Sequence, residues 1–131
     1  MNVALAGPSL SGKTTLFDAL SNHAVDSQAH PARADHPNVA SVKVHDARVD
    51  WIAELHGSAK KTYADLELLD LPGVALGSDA DSERPRVLAQ LRQADALLWC
   101  LRAFESDAVP AGPGGVDPWR DYNDLRNEFL L

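Results

Sequence analysis

Apolar positions along the chain change period several times, and each change marks an element. Asn2 to Ala6 is a short apolar run that ends at a glycine-containing loop, and from Lys13 to Asn22 Leu16, Phe17 and Leu20 recur at helical spacing. Strand, loop and helix are predicted in that order. Between Ala24 and Asn38 the periodicity vanishes among two His-Pro pairs, which predicts an irregular segment, and Val42 and Val44 then alternate along a second strand over Val39 to Val44. Arg48 to His56 carries Val49, Ile52, Ala53 and Leu55 on a helical pattern, and Tyr63 to Leu71 alternates before running into DLPG, giving a short helix and a third strand. Arg86 to Ala94 gathers Val87, Leu88, Leu91 and Ala94 on one face, with acidic residues just upstream where a helix start favours them. Ala96 to Leu101 is continuously apolar, the pattern of an inner strand of a largely parallel sheet covered on both faces, and is the best core candidate. The breakers of PAGPGGVDP follow, where a second structural unit can begin. Asp117-Pro118 then supplies a cap and a first-turn proline for a last helix bearing Trp119, Tyr122, Leu125 and Phe129. That pattern reaches Leu131 with no capping glycine or polar tail, so the chain reads as a fragment.

Composition narrows this α/β reading without changing it. At 131 residues the chain holds one small core, and 12 Lys plus Arg against 19 Asp plus Glu leave a net charge of -7. The basic residues are scattered singly apart from Lys60-Lys61, which argues against direct DNA binding. No apolar run approaches the roughly 18 residues that span a bilayer, and Met1 leads into NVALAG without a charged leader. A cytoplasmic protein with no membrane contact is expected. The single cysteine, Cys100, excludes an internal disulfide and reads as a small core hydrophobe within LLWCL.

The chemistry lies in two motifs. Gly7-Pro8-Ser9-Leu10-Ser11-Gly12-Lys13-Thr14 matches G-x-x-x-x-G-K-[ST] between a strand and a helix, a pattern expected by chance in about one such chain per thousand. Its backbone N–H groups would face phosphates from Ser9 through Thr15 at the helix N-terminus, Lys13 would reach the outer phosphates as the catalytic cation, and the Thr14 hydroxyl would bind Mg²⁺. Asp70 ends the third strand. If that strand neighbours the first, its carboxylate arrives beside Thr14 as a second metal ligand. Gly73, three residues on, offers an N–H that approaches a terminal phosphate with no Cβ in the way. The histidines His23, His30, His36, His45 and His56 lack the i, i+4 pairing with a glutamate that a helical zinc site needs. Arg84 and Arg86 read as a charged helix entry, Lys60-Lys61 as a solvated turn, and Trp99 as core.

These residues resemble the N-terminal part of the YchF-type, Obg-related ribosome-binding ATPases of the translation-factor GTPase class. The likeness runs nearly end to end, through the P-loop and TTLFDAL, HPNVASVKVHDARVDWIAEL, ADLELLDLPGVALG, RQADALLWCLRAFE and VDPWRDYNDLRNEFLL. It implies a P-loop NTPase of Ras-like fold, a three-layer α/β/α G domain with a mostly parallel sheet, cut after the fourth strand and the start of a further helix. It also implies ATP in preference to GTP, Mg²⁺ and association with ribosomes. Residues 1–109 would be a partial G domain, with the P-loop at 7–14, a first switch at about 24–38 and DLPG at 70–73. Residues 110–131 would be a Gly/Pro loop and a helix leading to a helical insertion, with a TGS domain beyond.

Two departures from the family's pattern, and one of the family from other GTPases, qualify the resemblance. Ala34, in HPARADHPN, stands where the family's first switch has a threonine that binds Mg²⁺ and the γ-phosphate. Val74 follows DLPG where many GTPases carry a water-orienting glutamine, as the family's own apolar residue does, so intrinsic hydrolysis is expected to be slow. The stretch from Ser78 to Arg86, SDADSERPR, replaces a glycine-rich second switch. The leading expectation is a slow ATPase or GTPase acting as a ribosome-linked switch. A non-hydrolysing nucleotide-binding or scaffold module is the alternative. A small phosphotransferase is a third reading, and would need Arg84 or Arg86 to close over the phosphates. A sheet that ends with the apolar strand after Ala96 is also expected to leave one edge unpaired.

Overall fold

The computed structural model describes residues 1–22, 32–33, 35–73, 84–111 and 114–130. Ala34, Val74, residues 78–83 and, of the expected first switch, residues 24–31 lie outside the described residues. The elements run β1 (Asn2–Ala6), α1 (Lys13–Leu20), β2 (Asn38–Val44), α2 (Ala47–Leu55), β3 (Ala64–Asp70), α3 (Arg84–Gln93), β4 (Ala96–Trp99) and α4 (Pro118–Leu130). The strands form one sheet in the order β2-β3-β1-β4. β1 pairs in parallel with β3 and β4, whereas β2 runs antiparallel to β3 over seven rungs, from Asn38 opposite Asp70 to Val44 opposite Ala64.

Both faces of β1 are covered, so its Ala4, Leu5 and Ala6 are at most 1% exposed. On one face Leu5 meets Phe17 of α1, Ala40 of β2 and Leu68 of β3. On the other, Ala4, Ala6 and Leu71 meet Val87, Leu88 and Leu91 of α3, with Phe129 of α4 packed against them. Helix, sheet and helix layers result, and burying each large side chain in them contributes about 1.5–3 kcal/mol. The caps follow from local chemistry. Asp46 accepts from the Arg48 amide at the start of α2, and Asp117 Oδ1 accepts from the Trp119 and Arg120 amides at the start of α4, where Pro118 occupies the first turn.

Among the described strands β1 and β3 have a neighbour on each side, whereas β4 pairs with β1 alone; its residues are half-buried and Leu98 is 39% exposed. Trp99 is half-buried, stacked against Phe129 at 6.3 Å and tilted against Tyr122 at 5.2 Å. Through these contacts, and through the fully buried Leu125, α4 joins the core.

Candidate phosphate-binding site

β1 ends at Ala6, and the chain then loops over residues 7–12 before α1 begins. The loop closes through Gly12, whose φ of +95° sets it in the left-handed region open to glycine, and through Leu10 at φ +62°, an exposed side chain held in a costly conformation. With Gly12 as the residue before the helix, the first-turn N–H groups of α1 point outward, an anion-attracting end reinforced by the helix dipole.

The Lys13 side chain folds back along the loop. Its Nζ donates to the Gly7 carbonyl at 3.1 Å and to the Pro8 carbonyl at 2.7 Å, and the residue is only 6% exposed. Burial pulls its pKa down, against the opposing pull of Asp70 and Cys100. β3 stands next to β1, with Leu5 opposite Asp70, and this register delivers the Asp70 carboxylate to the start of α1. Thr14 Oγ1 donates to Asp70 Oδ2 at 3.0 Å. Asp70 is fully buried, and burial pushes its carboxyl above the usual range; the Thr14 hydroxyl, the Asn38 amide and the Lys13 ammonium pull the other way. Asn38 lies opposite Asp70 in the β2–β3 register, yet its amide nitrogen makes no full hydrogen bond. Among the described residues, Asp70 Oδ1 is likewise buried without a partner, as is Ser11 Oγ. Buried polar atoms without a partner cost free energy.

After Asp70 the chain turns back to the loop. A Cβ on Gly73 would stand 2.5 Å from the Ser9 amide nitrogen, so only glycine fits this approach. Two hollows flank the loop. One, of about 230 Å³, lies between Ser9, Leu10, Lys13 and Thr14 and the Leu71-Pro72-Gly73 turn, with Ala32 at its margin. The other, of about 260 Å³, lies beyond Gly12 and Thr15 and is walled by Phe104 and Val109.

The structure thus brings Ser9, Leu10, Ser11, Gly12, Lys13, Thr14, Thr15, Asp70 and Gly73 to one place. Phe104 and Val109 were not foreseen, because nothing in their spacing relates them to residues ninety positions earlier. Arg84 turns away from this site: it forms a half-buried ion pair with Glu128 of α4, which removes it as an arginine closing over phosphates. Burial pushes the Cys100 thiol up, so it is no activated nucleophile. Among the described residues no group of three or more His, Cys, Asp or Glu side chains is placed to hold a metal, and no helix is long and apolar enough to cross a membrane.

A glycine loop between β1 and α1, an aspartate ending the adjacent parallel strand beside the helix's second residue, and the order β2-β3-β1-β4 define a P-loop NTPase of the G-domain class. The chain belongs to the 50S ribosome-binding GTPase family, whose profile matches residues 2–125. It is 32% identical over 121 residues to the ribosome-binding ATPase YchF of Bacillus subtilis, covering 92% of this chain and 33% of that protein. It is 32% identical over 131 residues to Obg-like ATPase 1 of Caenorhabditis elegans, covering 99% of this chain and 33% of that one. The solved Schizosaccharomyces pombe YchF GTPase superposes with a TM-score of 0.69 at 27% identity, over 99% of this chain and 35% of the other. The chain therefore spans about a third of the length of the curated relatives it matches.

Proposed function

We propose that this cleft binds a purine nucleoside triphosphate in a magnesium-dependent manner, ATP in preference to GTP, and that the protein to which it belongs hydrolyses it slowly as a ribosome-associated, cytoplasmic nucleotide switch. One observation carries the reading: a buried Lys13 and the Thr14–Asp70 pair converge at an outward-pointing helix N-terminus, with one carboxylate oxygen of Asp70 unpartnered among the described residues. The names of the similar proteins support ATP, GTP and the ribosome as partners.

The donor set suits Mg²⁺. Thr14 Oγ1 and Asp70 are hard oxygen donors side by side, and an orphaned buried carboxylate oxygen is the kind of atom a divalent cation satisfies. When bound, the ion would screen the outer phosphate charges. The chain's own groups supply the rest. The first-turn amides and the loop from Ser9 to Thr15 hold the phosphates, and Lys13 exchanges the Gly7 and Pro8 carbonyls for phosphate oxygens, where its charge offsets that developing in the transition state. The Gly73 N–H reads the terminal phosphate. The nucleoside extends over the hollow bounded by Phe104 and Val109, and residues 110–131 lead from this domain into the remainder of a longer protein.

The test is calorimetric titration of ATP, GTP and their diphosphates, with and without Mg²⁺, against this chain and Lys13→Ala. Binding that needs Mg²⁺ and falls at least about 100-fold in the variant is expected, since a buried charge-assisted contact is lost. A folded chain that binds none of them overturns the reading. Binding without turnover by a longer form of the protein would mark a non-hydrolysing module.

A further inference from the structure

Arg102 is buried, at 6% exposure, just beyond β4, and among the described residues no carboxylate pairs with it. A buried guanidinium without a counter-ion is costly unless its donors are met, and here each of its three nitrogens donates to a backbone carbonyl of a single loop. Its Nε donates to the Phe104 carbonyl at 3.1 Å, Nη1 to the Pro110 carbonyl at 3.4 Å, and Nη2 to the Val109 carbonyl. The guanidinium also lies over the Phe104 ring, its Cζ 4.8 Å from the centroid. One side chain thus holds both ends of the 104–110 segment and backs one ring face, while Phe104 keeps 47% of its surface exposed. Phe104 and Val109 are the two residues of this segment that wall the hollow beside Thr15, and that hollow shares Leu10, Lys13 and Thr14 with the one beside Gly73 but is not lined by Gly73.

We infer that Arg102 is a positioning residue for the nucleoside half of the ligand: it fixes the Phe104–Val109 wall and takes no part in holding phosphate. The inference rests on the reading of the cleft as a nucleotide site. The planar fork is what the task requires, because three carbonyls in different directions are met at once by a rigid set of donors, and a lysine ammonium cannot span them. A residue needed only for folding would affect every ligand alike. A residue that positions the wall affects those ligands that carry a nucleoside.

The experiment titrates Mg-ATP and Mg-tripolyphosphate, the latter a phosphate chain with no nucleoside, against the full chain, Arg102→Lys and Arg102→Met, with thermal unfolding of each. In the variants ATP affinity should fall about tenfold or more, the size of one organised aromatic contact to a base, while tripolyphosphate affinity changes less than about twofold. Arg102→Lys keeps the cation and the aliphatic stem, so it guards against Arg102→Met failing to fold. Equal losses for both ligands in a folded variant, or no loss for either, would overturn the inference. A wild-type chain that binds tripolyphosphate and ATP equally well would also overturn it, leaving the phosphate site intact. A wild-type chain that binds neither removes the nucleotide reading itself, and this inference with it.

Discussion

Gly73→Ala isolates the contact between the strand-end turn and the P-loop. The added Cβ would sit 2.5 Å from Ser9 N and 2.6 Å from both Ser9 Cα and Oγ. Ordinary non-bonded carbon contacts begin near 3.5 Å, so the turn and the loop must part by about 1 Å. A Gly73 N–H lying about 2.9 Å from a terminal phosphate oxygen then stands near 3.9 Å, beyond hydrogen-bond range. A hydrogen bond to a charged group is worth about 1.5–3 kcal/mol, so affinity for a triphosphate should fall about 10- to 150-fold. A diphosphate has no group at that position, and its affinity should change little. Calorimetry with a non-hydrolysable ATP analogue and with ADP, on both chains, reads the ratio directly. Truncating Ser9 to glycine in the same chain removes only one of the three contacts, leaving the backbone atoms in place, and should not restore triphosphate binding. Equal loss for both nucleotides would show that Gly73 serves packing alone, and an unchanged ratio at full affinity would refute the argument.

Two further outcomes follow from burial. Because burial raises the Asp70 carboxyl above its ordinary 3.8, its favourable contribution is complete below that value and is lost as pH rises through the folded-state value. Asp70→Asn should therefore be more stable than wild type at pH 7 without ligand while losing Mg-dependent nucleotide binding. In urea denaturation across pH the stability gap should close as pH falls toward 3.8; a gap independent of pH would contradict the assignment. Leu125 of α4 is 0% exposed, and Leu125→Ala should cost about 2–5 kcal/mol in chemical denaturation, whereas a loss under about 1 kcal/mol would mean that α4 is only loosely attached.

The parts of this molecule that were legible in its sequence are those governed by short-range geometry. The run from Gly7 to Thr14 announces itself because phosphate, loop and helix start impose a spacing that few other structures require. Asp117-Pro118 is legible for the same reason, as a local pattern of donors and a fixed φ. Asp70 needed one tertiary assumption, that β3 lies beside β1, and the register Leu5–Asp70 supplies it. What stayed hidden depends on distant partners. Arg102 looks like one more scattered charge until the 104–110 loop folds over it. Arg84, weighed for the phosphate site, finds its partner in Glu128, 44 positions away.

The antiparallel pairing of β2 with β3 has a mechanical consequence. The β2–β3 ribbon is joined at the Val44–Ala64 end by the chain through α2, and its free end, Asn38 opposite Asp70, is the end that meets the P-loop. A load lifting the chain at Asn38 meets the ladder one rung at a time, as a zipper does. Asp70 is held differently on its other side, where β1 and β3 lie side by side over four consecutive pairs that must shear together. Tension reaching this edge peels β2 first and leaves the aspartate anchored to β1, next to the threonine it bonds.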